Sequence, residues 1–244
     1  MKIAIIADIH ANLEALETVL IACESDGVDK YICLGDIVGY GPDPVACIQR
    51  LIEVQAIFVA GDHDIAVLNT KDISLFNTLV RPSLFYAAEE IGAEEREYLS
   101  KYTTVYFGEG EYSSCVFSHA NPSQPTDWEY LVTLQQISKC LDAIDRKVVF
   151  VGHTHDAKIY CKIRSDTQTL TSLIVAVGSH KYLVNSGSVG QPRDGDPRTA
   201  YAIWDSERNN IELKRLEYPI EHTQNKMRNL GFPGYTIDRL ATGE

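Results

Sequence analysis

The chain has 244 residues, of which 45% are hydrophobic and 23% are charged, so it has the composition and length of a globular protein with a sizeable core. Its 22 Lys and Arg residues against 34 Asp and Glu residues give a formal net charge of −12, which argues against a general nucleic-acid-binding surface. Anionic substrates are still allowed, because bound metal ions reverse the field around them.

The cysteines and the N-terminal segment indicate where the protein works. No two of the six cysteines form a C-x-x-C pair, so we expect buried thiols in a reducing cytoplasm rather than disulfides or structural zinc. The apolar run that begins at Ile3 is too short for a signal peptide, and no window approaches the roughly 18 apolar residues of a membrane span. We therefore expect a soluble, cytoplasmic protein without a membrane partner.

The first sixty residues alternate between two patterns. Continuous apolar runs predict strands and helical periodicity predicts helices, in the order strand 3–7, helix 13–24, strand 31–34, helix 44–53 and strand 56–60. This βαβαβ order predicts a sheet with helices packed on it, whose functional groups gather at the carboxyl ends of the strands. Asp8, Asp36 and Asp62 each follow such an end.

The remaining sequence breaks this rhythm. The pattern of residues 65 to about 103 predicts a helical excursion from this alternation, with helices at 84–91 and 94–102. Further strands are predicted at 104–107, 114–118 and 148–151, with a helix at 134–144, and then mostly strands between 158 and 216. We expect a second sheet from the C-terminal half, then a tail of about 218–244 with one helix, 221–230. Residues that commonly bind metal ions occur in both halves of the sequence, so we predict a single domain, 1–244.

Seven residues that are good metal ligands occur in five places along the chain. They are Asp8 and His10, Asp36, Asp62, His119, and His153 with His155. Imidazole combined with carboxylate suits Mn, Fe, Zn, Co or Ni better than Mg or Ca. Seven ligands are too many for one tetrahedral zinc. We therefore predict two ions that share a bridging carboxylate, and Asp36 lies between the other blocks in sequence.

Each block alone is weak support for a metal site. A lone Gly-Asp is usually a turn, and a lone histidine such as His119 is more often a satisfied polar residue than a ligand. The specific signal is the ordered set, in which each block follows an apolar strand.

These blocks resemble the calcineurin-like metallophosphoesterases over residues 1 to about 217. The matching segments are Asp8-Ile9-His10, Gly35-Asp36-Ile37-Val38-Gly39-Tyr40-Gly41, Gly61-Asp62-His63-Asp64, Ser118-His119-Ala120, Gly152-His153-Thr154-His155 and, typical of the small bacterial and archaeal phosphodiesterase branch, 185–193. The resemblance implies an α/β fold, an αββα four-layer sandwich of two mixed sheets flanked by helices.

The resemblance also implies roles for individual residues. It assigns Asp8, His10, Asp36 and His155 to one ion, and Asp36, Asp62, His119 and His153 to the other. It makes His63 a catalytic group that is not a ligand and donates to the leaving oxygen or the phosphoryl group, and we expect Asp64 to orient its ring. The implied activity is hydrolysis of phosphodiesters or phosphomonoesters by metal-activated hydroxide, with Mn as the first expectation and Fe, Zn, Ni or Co as alternatives.

Two departures from the family pattern affect the expected activity. The family usually has Asn at the position of Asp62, so the carboxylate adds a negative charge that should tighten the second ion and weaken its Lewis acidity. The Asp-Arg-Gly of the protein phosphatase branch is replaced here by Gly39-Tyr40-Gly41, so a protein phosphatase is disfavoured. Tyr40 either packs on a substrate base or fills its loop. Arg193 either binds the substrate or pairs with Asp194 or Asp196.

Two alternative functions stay open at this point. The first is a nucleotide-directed enzyme of the same chemistry, such as a dinucleoside polyphosphate hydrolase. The second is a non-catalytic, metal-stabilised scaffold that binds a partner through residues 65–103, although the retained His63 favours catalysis. The apolar content of that segment also permits a homo-oligomer.

Overall fold

Two six-stranded sheets lie face to face at the centre of the fold, in a computed structural model that describes residues 1–244. The strands are β1 Lys2–Ile6, β2 Lys30–Cys33, β3 Ile57–Phe58, β4 Val105–Phe107, β5 Cys115–Ser118, β6 Val148–Val151, β7 Lys158–Ile163, β8 Asp166–Leu170, β9 Ile174–Ala176, β10 Lys181–Asn185, β11 Thr199–Asp205 and β12 Asn210–Leu216. Their spatial order is β3-β2-β1-β11-β12-β9 in the first sheet and β4-β5-β6-β10-β7-β8 in the second.

Helices cover the outer faces of both sheets and complete the four layers. They are α1 Leu13–Ser25, α2 Pro44–Glu53, α3 Asp62–Leu68, α4 Arg81–Glu90, α5 Ala93–Ser100, α6 Leu134–Ala143, α7 Ile220–Asn229 and α8 Gly234–Asp238. Both sheets are mixed: β1 pairs in parallel with β2 and antiparallel with β11, and β10 pairs in parallel with β6 and antiparallel with β7. The predicted αββα sandwich is confirmed.

The strands that carry the site are buried on both faces, which is why they appear as continuous apolar runs in the sequence. In β1, Ile3 and Ile5 face the second sheet, and Ala4 and Ile6 face the helices. In β6, Phe150 packs between the sheets while Val149 packs toward α6. A one-residue shift in register would exchange these faces, so the core fixes the position of every strand end.

Local capping interactions set where the first helices begin. The side chain of Asn12 accepts a hydrogen bond from the backbone N–H of Ala15 at 3.2 Å, so it caps α1 as predicted. Pro44 opens α2 at the first position, where a missing N–H costs nothing, and Cys47, Ile48 and Leu51 form its buried face.

The second half of the chain differs from the prediction. The C-terminal half does not form the second sheet alone: β9, β11 and β12 return to the first sheet, while β4 and β5 open the second. Antiparallel pairing of β11 with β1 draws the late strands back, since both inner faces are apolar and gain burial there. The sequence prediction also missed α3, β8 and α8, which are short elements of five to seven residues.

All six cysteines are buried, as the sequence predicts, and none is in a disulfide. None of the helices has the length and apolar character that crossing a membrane requires.

The aromatic pair between the sheets offers a direct test of the packing. The rings of Phe117 and Phe150 are parallel within 6°, with centroids 5.3 Å apart, and both side chains are fully buried. We expect Phe150→Ala to lower the free energy of unfolding by about 3–5 kcal/mol, because it removes buried area and leaves a cavity. Urea denaturation measures this loss. Phe85→Ala, at a side chain that is 45% exposed, is the control, and an equal loss in both variants would contradict the assigned packing.

Candidate metal centre

Loops from both sheets meet at one edge of the sandwich and bring the metal-type residues together. Asp8 follows β1, Asp36 follows β2, His119 follows β5 and His153 follows β6, while Asp62 is the first residue of α3. This is the carboxyl edge of the parallel strands, where the sequence places the site.

The backbone at this edge adopts a conformation that side-chain-bearing residues avoid. Five of the seven candidate ligands have positive φ angles, namely Asp8 (53°), His10 (48°), Asp36 (53°), His153 (67°) and His155 (58°). Left-handed backbone costs free energy at residues other than glycine, so the surrounding contacts must hold it. In Asp8-Ile9-His10 and His153-Thr154-His155 this backbone directs two side chains of one short loop into the same site.

The seven predicted ligands form two adjoining groups. Within each group the ligand atoms lie within 4.8 Å of one another, and the groups are Asp36, Asp62, His119 and His153, and Asp8, His10 and His155. A third group, His10, Asp36 and His63, meets the same distance and overlaps both. Asp36 lies between them, because its Oδ2 is 3.5 Å from His119 Nε2 and 3.7 Å from His10 Nε2. All seven predicted residues are therefore together.

Each of the four histidines is fixed by a backbone carbonyl behind it. Those contacts are His10 Nδ1 to Val38 O at 3.1 Å, His119 Nδ1 to Leu34 O at 2.7 Å, His153 Nε2 to Trp128 O at 3.0 Å and His155 Nδ1 to Gln191 O at 2.5 Å. A carbonyl only accepts, so these nitrogens carry the protons. In a neutral ring the other nitrogen then has a free lone pair that points into the site.

The inward nitrogens face one another at short range. His10 Nε2 is 3.1 Å from His155 Nε2, and His119 Nε2 is 3.0 Å from His153 Nδ1. Two unprotonated nitrogens cannot hydrogen-bond each other, so each pair requires a cation or an added proton between its members. Asp62 Oδ1 is buried without a hydrogen-bond partner, 3.5 Å from both His119 and His153. The donor set fits a pair of transition-metal ions.

Burial and charge set the protonation of these groups. Burial lowers the pKa of His10 and of His155, and it lowers the pKa of His153 to about 4, so these rings are neutral at neutral pH. Burial acts in the same direction on His119, but Asp36 and Asp62 outweigh it and raise its pKa well above the ordinary value. Without metal, a proton on His119 therefore holds its side of the site together.

Asp64 has a different contact from the one predicted. Its carboxylate does not hydrogen-bond His63, and the prediction that it orients that ring is wrong. It accepts instead from the backbone N–H groups of Asp36 (2.7 Å), Ile37 (2.9 Å) and Gly61 (3.0 Å). Residue 64 is in the first turn of α3, so its side chain turns back onto the loop after β2. Asp64 thereby holds the backbone on which Asp36 is mounted.

His63 lies beside the ligand groups with a ring held only by aromatic packing. Its Nε2 is 3.9 Å from Asp36 Oδ2, and its Nδ1 is buried without a hydrogen-bond partner. Tyr40 stacks on the ring at 5.3 Å between centroids, and Phe76 meets it edge-on at 5.1 Å. The unpaired Nδ1 packs against Gly39, so the ring presents its Nε2 to the site.

Arg193 extends over the outer face of Tyr40, with its guanidinium carbon 5.4 Å from the ring centroid. It does not form the alternative ion pair, since Asp194 and Asp196 pair with Arg215 and Arg198 instead. Its Nη2 donates to Gln191 Oε1 at 2.9 Å, and its Nε is buried without a partner. Tyr40 therefore packs within its loop and also supports a cation beside the site.

Several supporting residues were not identified from the sequence. The backbone carbonyls that fix the histidines have no sequence signal, because any residue offers one. Asn185 Nδ2 donates to Gly152 O at 2.9 Å and to Thr154 Oγ1 at 2.7 Å, and Ser188 Oγ donates to Asp8 O at 2.7 Å. Both belong to the 185–193 segment that carried the resemblance, which was the available signal. Their contacts hold the two ligand loops in place.

Comparisons with known proteins show which family and fold this chain shares. An uncharacterised protein of Methanocaldococcus jannaschii is 34% identical over 241 residues, which cover 99% of this chain and 98% of the relative. The crystal structure of a metallophosphoesterase from Sphaerobacter thermophilus matches with 35% identity and a TM-score of 0.84, over all of both chains. A hypothetical protein from Pyrococcus horikoshii has the same fold at 20% identity, with a TM-score of 0.83 over 100% of this chain and 98% of its own.

The family comparison covers most of the chain. The model of the calcineurin-like phosphoesterase superfamily domain matches residues 1–209, which contain all the residues of the two ligand groups and His63. The chain therefore belongs to the calcineurin-like phosphoesterase superfamily.

Proposed function

We propose that this protein is a dinuclear-metal phosphoesterase that hydrolyses phosphodiesters or phosphomonoesters. The observation that carries the proposal is the His10–His155 pair, whose inward nitrogens are 3.1 Å apart while both outer nitrogens donate to carbonyls. Both rings have lowered pKa values, so a proton does not join them at neutral pH. A metal cation satisfies both lone pairs at once.

The two groups divide the ligands between two ions. Asp8, His10 and His155 would hold one ion, and Asp62, His119 and His153 would hold the other, with Asp36 available to both. Imidazole and carboxylate together suit Mn, Fe, Zn, Ni or Co, and Mn is the ion that we propose first. Asp62 has a carboxylate where the family usually has an amide. The added negative charge increases the affinity of this group of ligands for a cation. The expected substrate is a small phosphoester or nucleotide.

Two such ions supply Lewis acidity, which makes water a nucleophile at neutral pH and neutralises charge on the phosphoryl oxygens. The chain supplies positioning and proton transfer. His63 Nε2 lies 3.9 Å from Asp36 Oδ2, which supports its proposed role as the donor to the leaving oxygen of a substrate bound there. Arg193 places a positive charge on the same side and binds a phosphoryl oxygen. Asp64 keeps the Asp36 loop rigid.

Replacing one candidate ligand should reduce metal binding while the protein still folds. We expect His155→Ala to hold one ion fewer than the native protein and to lose activity more than a hundredfold, because the remaining ligands leave one ion undercoordinated. Metal analysis after reconstitution with Mn, Fe, Co, Ni, Zn or Mg, followed by hydrolysis of p-nitrophenyl phosphate, bis-p-nitrophenyl phosphate and a dinucleoside polyphosphate, measures both effects. His222→Ala, at an exposed histidine, is the control. Native protein without activity toward any of these substrates would contradict the proposal.

The role of His63 predicts a different pattern. His63→Ala should keep the full metal content and lower kcat by about 10²–10⁴-fold, the usual contribution of a general acid. The loss should be smaller for a p-nitrophenol leaving group than for an alkyl one, since a good leaving group needs less protonation. Equal losses for both leaving groups, or an unchanged kcat, would show that His63 does not protonate the leaving oxygen.

Metal loading should release protons. The raised pKa of His119 means that its ring is charged at pH 7 before metal binds, and a ligand nitrogen must be unprotonated. The apparent metal affinity should therefore rise with pH up to the pKa of His119. Titration calorimetry at pH 7 in buffers of different ionisation enthalpy measures the released protons, and we expect about one per chain or more. Binding heats that do not depend on the buffer would rule out a charged His119.

A further inference from the structure

An apolar cleft of about 420 Å³ opens directly from the metal centre on the side of Asp62. Its lining is mostly hydrophobic, with two acidic residues, and consists of Asp62, Ile65, Ala66, Asp72, Leu75, Phe76 and Trp128. The volume is within the range of small-molecule sites. The cleft lies outside every role assigned so far, although it shares Asp62 with the ligand groups.

The cleft walls belong to the same residues that surround the centre. Phe76 contacts the His63 ring edge-on, and the Trp128 ring meets His119 edge-on at 6.0 Å between centroids. Trp128 has a positive φ of 51° and its carbonyl binds His153, so its ring is held at the mouth of the site. A molecule whose phosphorus lies at the metal centre therefore has its substituent within reach of these rings.

The charges of the cleft select against some substituents. Asp72 is the one charged residue of the lining that is not assigned to a metal ion, and it is acidic, while Arg193 lies on the Tyr40 side of the site. A second phosphate deep in the cleft would meet the Asp72 carboxylate and no basic side chain of the lining. A neutral planar group would instead bury apolar area and stack on aromatic rings.

We propose that this cleft binds the organic group of the substrate, and that this group is a neutral aromatic ring such as a nucleobase or an aryl group. The inference rests on the proposed phosphoesterase function and adds the substrate class. Leu75 is 83% exposed, a high value for a leucine that lines a cleft beside a reaction centre, and a bound ring would cover it. The predicted helical excursion, residues 65 to about 103, thus contributes most of the residues that line the cleft.

Fluorescence tests the cleft independently of hydrolysis. Trp128 is half-buried at the cleft, and Trp204, the second tryptophan of the chain, is 2% exposed in the core, so only Trp128 responds to an occupant. We expect adenosine to quench the emission of the metal-loaded protein saturably, and ribose to leave it unchanged. The double variant Ile65→Ser with Leu75→Ser should bind adenosine about tenfold more weakly, because it loses apolar contact area.

Kinetics of the same variants test the specificity. The double variant should raise KM for bis-p-nitrophenyl phosphate about tenfold with kcat little changed, and leave KM for methyl phosphate within twofold. If the double variant does not fold, the single variant Leu75→Ser is used for the same measurements. The matched control is Leu173→Ser, at a residue that is 59% exposed and lies outside the cleft.

The outcomes separate the two proposals. Unchanged adenosine affinity together with unchanged KM would overturn the cleft proposal while hydrolysis by the native protein still supports the phosphoesterase. A variant that changes only the oligomeric state would also overturn it, and would make the segment a contact between copies. If no substrate is hydrolysed with any metal, the phosphoesterase proposal fails, and adenosine binding still decides whether the cleft takes a neutral ring.

Discussion

The centre depends on one repeated interaction, a histidine ring hydrogen-bonded to a backbone carbonyl. That contact fixes a proton on the outer nitrogen of all four rings, so each ring presents its other nitrogen to the site. His10, His153 and His155 are neutral there, and His119 becomes a potential ligand once it loses its second proton. Because the carbonyls belong to the backbone, their positions follow from the fold itself. The orientation of the four rings is thus set by the backbone of the sandwich, while the side chains of Asp64, Asn185 and Ser188 hold the ligand loops.

The strained backbone at the site is stabilised by the contacts that surround it. Left-handed backbone at Asp8 and Asp36 is held by buried hydrogen bonds: Ser188 binds the carbonyl of Asp8, and the Asp64 carboxylate binds the N–H groups of Asp36 and Ile37. Burial and the neighbouring Asp36 raise the pKa of Asp64 to about 7, while the hydrogen bonds from Gly61 and Ile37 oppose that rise. Rigid, pre-formed ligand loops of this kind lose little entropy when an ion binds.

The local sequence pattern predicted the first five elements and the residues that meet at the site, and the family resemblance implied the layered sandwich. Apolar strands that end in Asp or His are a local pattern, and local patterns are visible in one chain. The return of β11 to β1 was not predicted, since strand pairing depends on contacts about 200 residues apart. The partner of Asp64 was assigned wrongly for a related reason. A carboxylate next to His63 in sequence points away from it once α3 begins, and helix boundaries of short elements carry little signal.

The pairing of the first strand with the eleventh has a consequence for how the protein is made. β1 lies between β2 and β11, and the Asn12 side chain that follows it bonds to Gly190, Tyr218 and Thr223. During synthesis the first ligands, Asp8 and His10, leave the ribosome early, but their neighbours arrive only when almost the whole chain has emerged. The candidate ligands extend from Asp8 to His155, and β11, which pairs with β1, comes later still, so this edge of the sandwich forms only after β11 has been synthesised.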